Sequence, residues 1–123
     1  MNKLLHEENK EDKKTEEDLL KYFEKGIIKN LLNIIILLRI KCKATLSGYD
    51  LLEHTQEKYK IKLSAGTIYY QLYSLERKHL VEGAMDSSGK RLYSLTPDGL
   101  KATDIILSSK KQIERVIALI FEE

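Results

Sequence analysis

Hydrophobic positions along this chain keep a helical spacing for most of its length and lose it once, between Leu80 and Leu95. From Ile27 to about Lys41, the residues Ile27, Ile28, Leu31, Leu32, Ile35 and Leu38 recur at intervals of three and four, and Ile34, Ile36 and Leu37 widen the stripe. That pattern predicts a helix covered on more than one side. Ahead of it, Thr15 precedes Glu16, Glu17 and Asp18, an N-cap residue followed by acids that complement a helix dipole. Leu19, Leu20, Tyr22 and Phe23 give this first helix its apolar side, and Gly26 is expected to end or kink it. Residues 1–14 alternate in charge with almost no hydrophobic content after Leu5, so they read as a mobile tail that buries too little surface to order itself.

Two more helices start at serines. Ser47-Gly48-Tyr49-Asp50 has the spacing of a capping box with Asp50 in the acidic position, and Leu51, Leu52 and Tyr59 supply the inward side of a helix ending near Lys58. Ser64 caps the next, which turns Ile68, Leu72 and Leu75 inward and leaves Gly66, Tyr70, Tyr73, Ser74 and Arg77 outward, with Thr67 at the border. Then the rhythm changes. Leu80 to Met85 and Arg91 to Leu95 read as short strands around Asp86-Ser87-Ser88-Gly89, a tight-turn composition. Thr96, followed by Pro97, caps a last helix of about 25 residues in which Ile106, Ile113 and Ile120 recur every seven, with Val116 and Ile117 beside them.

The expected fold is therefore mainly α with a small β hairpin: a winged helix-turn-helix with additional N- and C-terminal helices. Three segments are expected, a charged tail at 1–14, a winged helix-turn-helix with its preceding helix at 15–96, and a dimerisation helix at 97–123. A terminal helix of that length outgrows so small a body, and a second copy would cover its stripe. Leu19, Leu20, Phe23, Ile106, Ile113, Val116, Ile117 and Ile120 are the candidate dimer residues.

Composition adjusts this picture only slightly. In 123 residues, 42% are hydrophobic and 33% charged, enough for one domain with a core. The net charge of +2 is small, but residues 1–30 carry seven Lys against eight acidic residues, which leaves the remainder at +3. One cysteine, Cys42, excludes an intramolecular disulfide; a small, half-buried thiol near a helix end is the simplest reading, and a redox sensor the alternative. The longest apolar stretch is interrupted by Lys29, Asn30, Asn33 and Arg39 and falls short of the roughly 20 residues that span a bilayer. With no secretory signal visible, a cytoplasmic protein without membrane association is expected. His6, His54, His79 and Cys42 lack metal-ligand spacing, no catalytic constellation is evident, and neither a metal nor a cofactor is expected.

Three motifs occur in order: "LSGYDLL" at 46–52, "LSAGTIYYQLYSLERKHLVEG" at 63–83 and "KRLYSLTPDGL" at 90–100. Together they resemble the PadR-type transcriptional regulators, in the short form with one C-terminal helix. The resemblance implies a homodimer that binds double-stranded DNA, commonly a repressor released by a small-molecule inducer. Two positions depart from the pattern. Tyr70 stands where the family usually has proline, and His79 where a glycine usually follows the recognition helix, so the turn there is expected to be less sharp.

On this reading the start of the recognition helix, Ser64, Gly66 and Thr67, offers free N–H groups to a phosphate, and Tyr70, Ser74 and Arg77 reach toward the major groove. Tyr69 is either a half-buried aromatic or, by the resemblance, close to a phosphate. Tyr49 either meets a phosphate or packs on the first helix, and Lys90 and Arg91 flank the wing turn, where cations meet the DNA backbone. The alternative is a winged-helix protein-interaction module without direct DNA readout, which the small net charge favours.

Overall fold

Thr15 opens the first helix with a reciprocal pair of bonds: its Oγ1 accepts from the Asp18 N–H at 3.0 Å, and its own N–H donates to Asp18 Oδ2 at 3.2 Å. The computed structural model describes residues 15–122, so the tail expected at 1–14, and Glu123, lie outside it. Helix α1 spans Glu16–Asn30 and passes straight through Gly26, against expectation. The chain breaks instead at Leu31, before α2, Leu32–Lys43. Two asparagines account for the position of the break. Asn30 Nδ2 donates to the Gly26 carbonyl at 2.9 Å and Asn33 Oδ1 accepts from the Ile34 N–H at 2.8 Å, so both side chains compete for backbone groups at the junction.

Helix α2 is the centre of the fold. It buries Leu32, Ile36, Leu37 and Ile40, which is why its stripe is broader than a one-sided helix needs. Helix α3, Gly48–Tyr59, begins with the expected box at Ser47 and Asp50, and Lys60 ends it at φ 58°. The next four residues carry Ile61 and Leu63 into the core before α4, Ala65–Arg77, begins at its cap Ser64, whose Oγ accepts from the Thr67 N–H at 3.1 Å. Ile68, Leu72 and Leu75 of α4 complete the buried cluster with Leu46, Leu51, Val81 and Tyr93.

His79 makes the turn out of α4 in a left-handed conformation, φ 61°, the geometry a glycine would take. Its N–H bonds the Glu76 carbonyl at 2.9 Å and the Leu80 N–H bonds the Leu75 carbonyl at 3.0 Å, the paired bonds of a Schellman motif. The expectation of a blunter turn is therefore corrected: histidine bears the steric cost and the turn stays sharp.

The hairpin pairs β1, Val81–Met85, with β2, Arg91–Leu95, in the register Val81↔Leu95 and Met85↔Arg91. At its tip Asp86 accepts from the Ser88 and Lys90 N–H groups, both at 2.9 Å, and Gly89 takes φ 86°. A third strip, invisible to periodicity because it is one residue long, joins Leu46 to Tyr93 through two backbone bonds of 2.8 and 3.1 Å.

After the wing, Thr96 caps α5, Pro97–Ser108, as expected, and its hydroxyl also donates to the His79 carbonyl at 2.7 Å. The single long helix expected here is two: α6, Lys110–Leu119, follows a break at Ser109. Serines sit at the break, where Ser108 Oγ donates to the Ile105 carbonyl and the Ser109 N–H is shared between the Ile105 and Ile106 carbonyls. The two halves differ. Helix α5 buries Gly99 and Thr103 and packs on α2 and β2, whereas α6 buries none of its residues. No helix among the described residues is long and apolar enough to cross a membrane, and Cys42 is exposed rather than half-buried.

Candidate nucleic-acid interface

The outward side of α4 is the centre of the candidate site. Burial of Ile68, Leu72 and Leu75 fixes the rotation of the helix, so Gly66, Tyr69, Tyr70, Tyr73 and Arg77 are exposed and Thr67 and Ser74 half-exposed. Solvent-exposed tyrosines are costly to leave uncovered, and Tyr70 at 69% and Tyr73 at 59% exposure form a polar-tipped aromatic strip suited to a partner surface. The Arg77 guanidinium stacks on Tyr73 with 5.3 Å to the ring centre, which holds both side chains outward.

Two pieces of chain meet at the start of α4. Ser64, Gly66, Thr67 and Tyr70 border an open cleft of about 470 Å³ whose other wall is Lys29 and Asn30, at the end of α1. Ser64 Oγ and Thr67 Oγ1 lie 2.9 Å apart and form a hydroxyl pair at its edge. Sequence reasoning missed Lys29 because it placed the helix break at Gly26; once the break falls at Leu31, the end of α1 brings a cation beside a helix N-terminus, a favourable setting for phosphate.

A second grouping lies at the base of the wing. The Tyr69 ring rests on Gly48, where a Cβ would overlap it. The Leu46 bridge to Tyr93 carries the start of α3 alongside β2, so the positive charge of Lys90 is felt at Asp50, whose carboxyl is held below its usual range chiefly by the Ser47 N–H. Tyr49 is exposed, and a hydrogen bond from its hydroxyl to Glu53 pushes its phenol up. Tyr69 thus lies against the start of α3 and the charge of Lys90 acts on Asp50 in the same turn, while Tyr70, Ser74 and Arg77 lie on the outer strip of α4.

Arg91 is placed differently from Lys90. Its Nη2 lies 2.9 Å from Glu76 Oε2, and the same carboxylate oxygen accepts from the Gly83 N–H at 3.2 Å. Gly83 leaves room for this, since a Cβ there would stand 2.7 Å from Arg91 Nε. Arg91 also lies over Tyr93 at 5.6 Å. Arg91 therefore ties the recognition helix to both strands of the wing. At the wing tip, the hydroxyl and N–H of Ser88 and the N–H of Lys90 hold the Asp86 carboxyl below its usual range, which keeps the turn ordered and Lys90 exposed.

The candidate dimer residues are distributed over two helices. Leu19, Leu20 and Phe23 of α1 are exposed at 47, 59 and 62%, and Val116 of α6 and Ile120 just after it at 59 and 75%. Ile117 is exposed at 38%, Ile113 is half-buried, and Ile106 packs against the core from α5. Among the described residues, no group of three His, Cys, Asp or Glu side chains could hold a metal ion.

Solved structures share this fold. A PadR family transcription regulator from Clostridium difficile aligns with a TM-score of 0.62 and 24% identity over 74% of this chain and 98% of its own. A second, from Eggerthella lenta, aligns with a TM-score of 0.68 and 18% identity over 86% and 95%. Bacillus subtilis PadR, solved in complex with operator DNA, aligns with a TM-score of 0.56 and 25% identity over 63% of this chain and 46% of its own. No curated protein matches the chain. The model of the family described as transcriptional regulator PadR-like matches residues 36–104, from the middle of α2 through the recognition helix and wing into α5. More than half of the sequence lies within that match, and the chain belongs to the PadR-like family of transcriptional regulators, a family of DNA-binding regulators and not of enzymes.

Proposed function

We propose that this DNA-binding regulator acts as a homodimeric repressor of a pseudo-palindromic operator, with two recognition helices in successive major grooves about one helical turn apart. The observation that carries the reading is the division of α4: an apolar side locked into the core, and an outer side of tyrosines, small residues and Arg77 beside a wing that ends in Lys90. The Bacillus subtilis relative was solved in complex with operator DNA, which supports DNA as the partner of this fold. Ser64, Gly66, Thr67, Tyr69 and Lys90 contact backbone phosphates, Tyr70, Ser74 and Arg77 reach the groove, and Tyr49 and Arg91 shape the wing base.

Dimerisation is supported by two helices, α1 and α6, in which no residue is fully buried within the described chain. Helices of 15 and 10 residues with exposed Leu, Phe and Ile are marginal without tertiary cover, and a second copy would supply it. Release from DNA by a small molecule completes the proposal. Native mass spectrometry tests it: a species of twice 14.3 kDa, and a complex of two chains per duplex, are expected. A single chain per duplex would contradict the dimer.

A further inference from the structure

A cleft of about 380 Å³ opens between the α1–α2 junction and α3, within the size range of small-molecule sites. Leu31, Ile35 and Leu38 give it an aliphatic lining, and Arg39 from α2 with His54 and Lys58 from α3 give it nitrogen donors. No carboxylate lines it. Arg39 Nε is buried with no hydrogen-bond partner among the described residues, and a buried donor without an acceptor is costly until something supplies one. Burial and then the charges of Arg39 and Lys58 push the His54 imidazole down, outweighing the opposite pull of Glu57, and Lys43 adds to the positive field. An apolar bed with a positive, acceptor-poor end is complementary to one class of small molecule.

We propose that this cleft binds a small amphipathic anion, an aliphatic carboxylate whose chain lies on Leu31, Ile35 and Leu38 and whose oxygens accept from Arg39 and Lys58. An ionised head group makes the stronger bond to a guanidinium, and five aliphatic side chains, Ile28, Leu31, Ile34, Ile35 and Leu38, against the single phenol of Tyr59 make the apolar bed chiefly one for an alkyl chain. Both α2 and α3 support the recognition helix, so occupancy would press on the packing that sets its position. This effect on DNA rests on the repressor reading; binding itself does not.

Octanoate, with 1-octanol as its neutral counterpart, is the probe. In an amide chemical-shift titration of the full chain, octanoate should perturb Leu31, Arg39, His54 and Lys58 most and bind at least about fivefold tighter than octanol. Arg39→Gln and the solvent-exposed Lys58→Gln should each weaken octanoate at least about threefold and leave octanol unchanged. Equal affinity for both probes, perturbations centred elsewhere, or octanoate binding indifferent to Lys58→Gln would overturn the site. Fluorescence anisotropy on a labelled duplex forms the second arm. A change in DNA affinity of about threefold or more on adding octanoate is expected, and mapped binding without such a change overturns the regulatory half. A chain that binds octanoate as mapped but never binds DNA would count against the repressor reading alone.

Discussion

Tyr69 lies on Gly48 so closely that any Cβ at position 48 would overlap its Cε1, Cζ and hydroxyl oxygen. The first residue of α3 thus sets the direction of a tyrosine on α4, and the two helices of the helix-turn-helix are matched at the surface as well as in the core. Only the far end of the Tyr69 ring would have to move, so Gly48→Ala should cost no more than about 1 kcal/mol of stability. It should nevertheless lower DNA affinity several-fold, as Tyr69→Ala should, because the ring loses its position. Denaturant unfolding and anisotropy on the same proteins check both halves; full DNA affinity in Gly48→Ala would remove Tyr69 from the interface.

Glu76 and Arg91 make the wing an extension of the recognition helix. The guanidinium is exposed, so the pair adds little to stability, and Glu76→Gln and Arg91→Gln should each lower DNA affinity modestly through the wing's position. Were Arg91 instead a direct phosphate ligand, Glu76→Gln would free it and raise affinity. The sign of that one change separates the two roles. Lys90→Ala and Lys29→Ala, by contrast, should weaken binding to all duplexes and reduce the salt slope by about one each, measured by anisotropy across a salt series.

Much of this architecture is legible in the sequence, for identifiable reasons. Caps at Thr15, Ser47, Ser64 and Thr96 are local, made between residues three apart, and all four form as their spacing indicates. The inward residues of α4 follow from periodicity alone. The breaks at Leu31 and Ser109 escaped because they depend on Asn30, Asn33 and Ser108 choosing backbone acceptors and donors that a helix could equally have kept. The Leu46–Tyr93 bridge, Lys29 beside Thr67 and the Glu76–Arg91 pair join residues distant along the chain, and no spacing rule reports them.

Two glycines that look alike in the sequence should respond in opposite ways. Gly26 sits inside α1 with nothing within 4 Å of a Cβ, so Gly26→Ala should stabilise the protein by about 0.5–1 kcal/mol through helix propensity. Gly99 is buried in the first turn of α5, and a Cβ there would overlap the Leu80 carbonyl oxygen, which is itself bonded to the Thr96 N–H. Gly99→Ala should therefore destabilise by about 2 kcal/mol or more. Thermal unfolding of the two variants decides the matter.

Asp50 links stability to pH. Its bond with the Ser47 N–H depresses its folded pKa, so the stability it contributes is fully present above its unfolded value of about 3.9 and is lost as pH falls through the lower folded value. Asp50→Ala should cost about 1 kcal/mol at pH 7. The gap to the unmodified protein should narrow in urea titrations as pH falls below about 4. A gap that stays constant down to about pH 2 would show that the carboxylate's charge has no part in the cap.

The central claim is that two copies of the exposed side of α4 read DNA together. Selection of bound duplexes from a random pool by the purified protein, at about physiological salt, followed by sequencing, tests it most directly. The account predicts an inverted repeat with half-sites about one helical turn apart, lost on substitution of Tyr70 and Arg77 by Ala. A pool recovered without enrichment, or one whose enriched motif survives those substitutions, would contradict it.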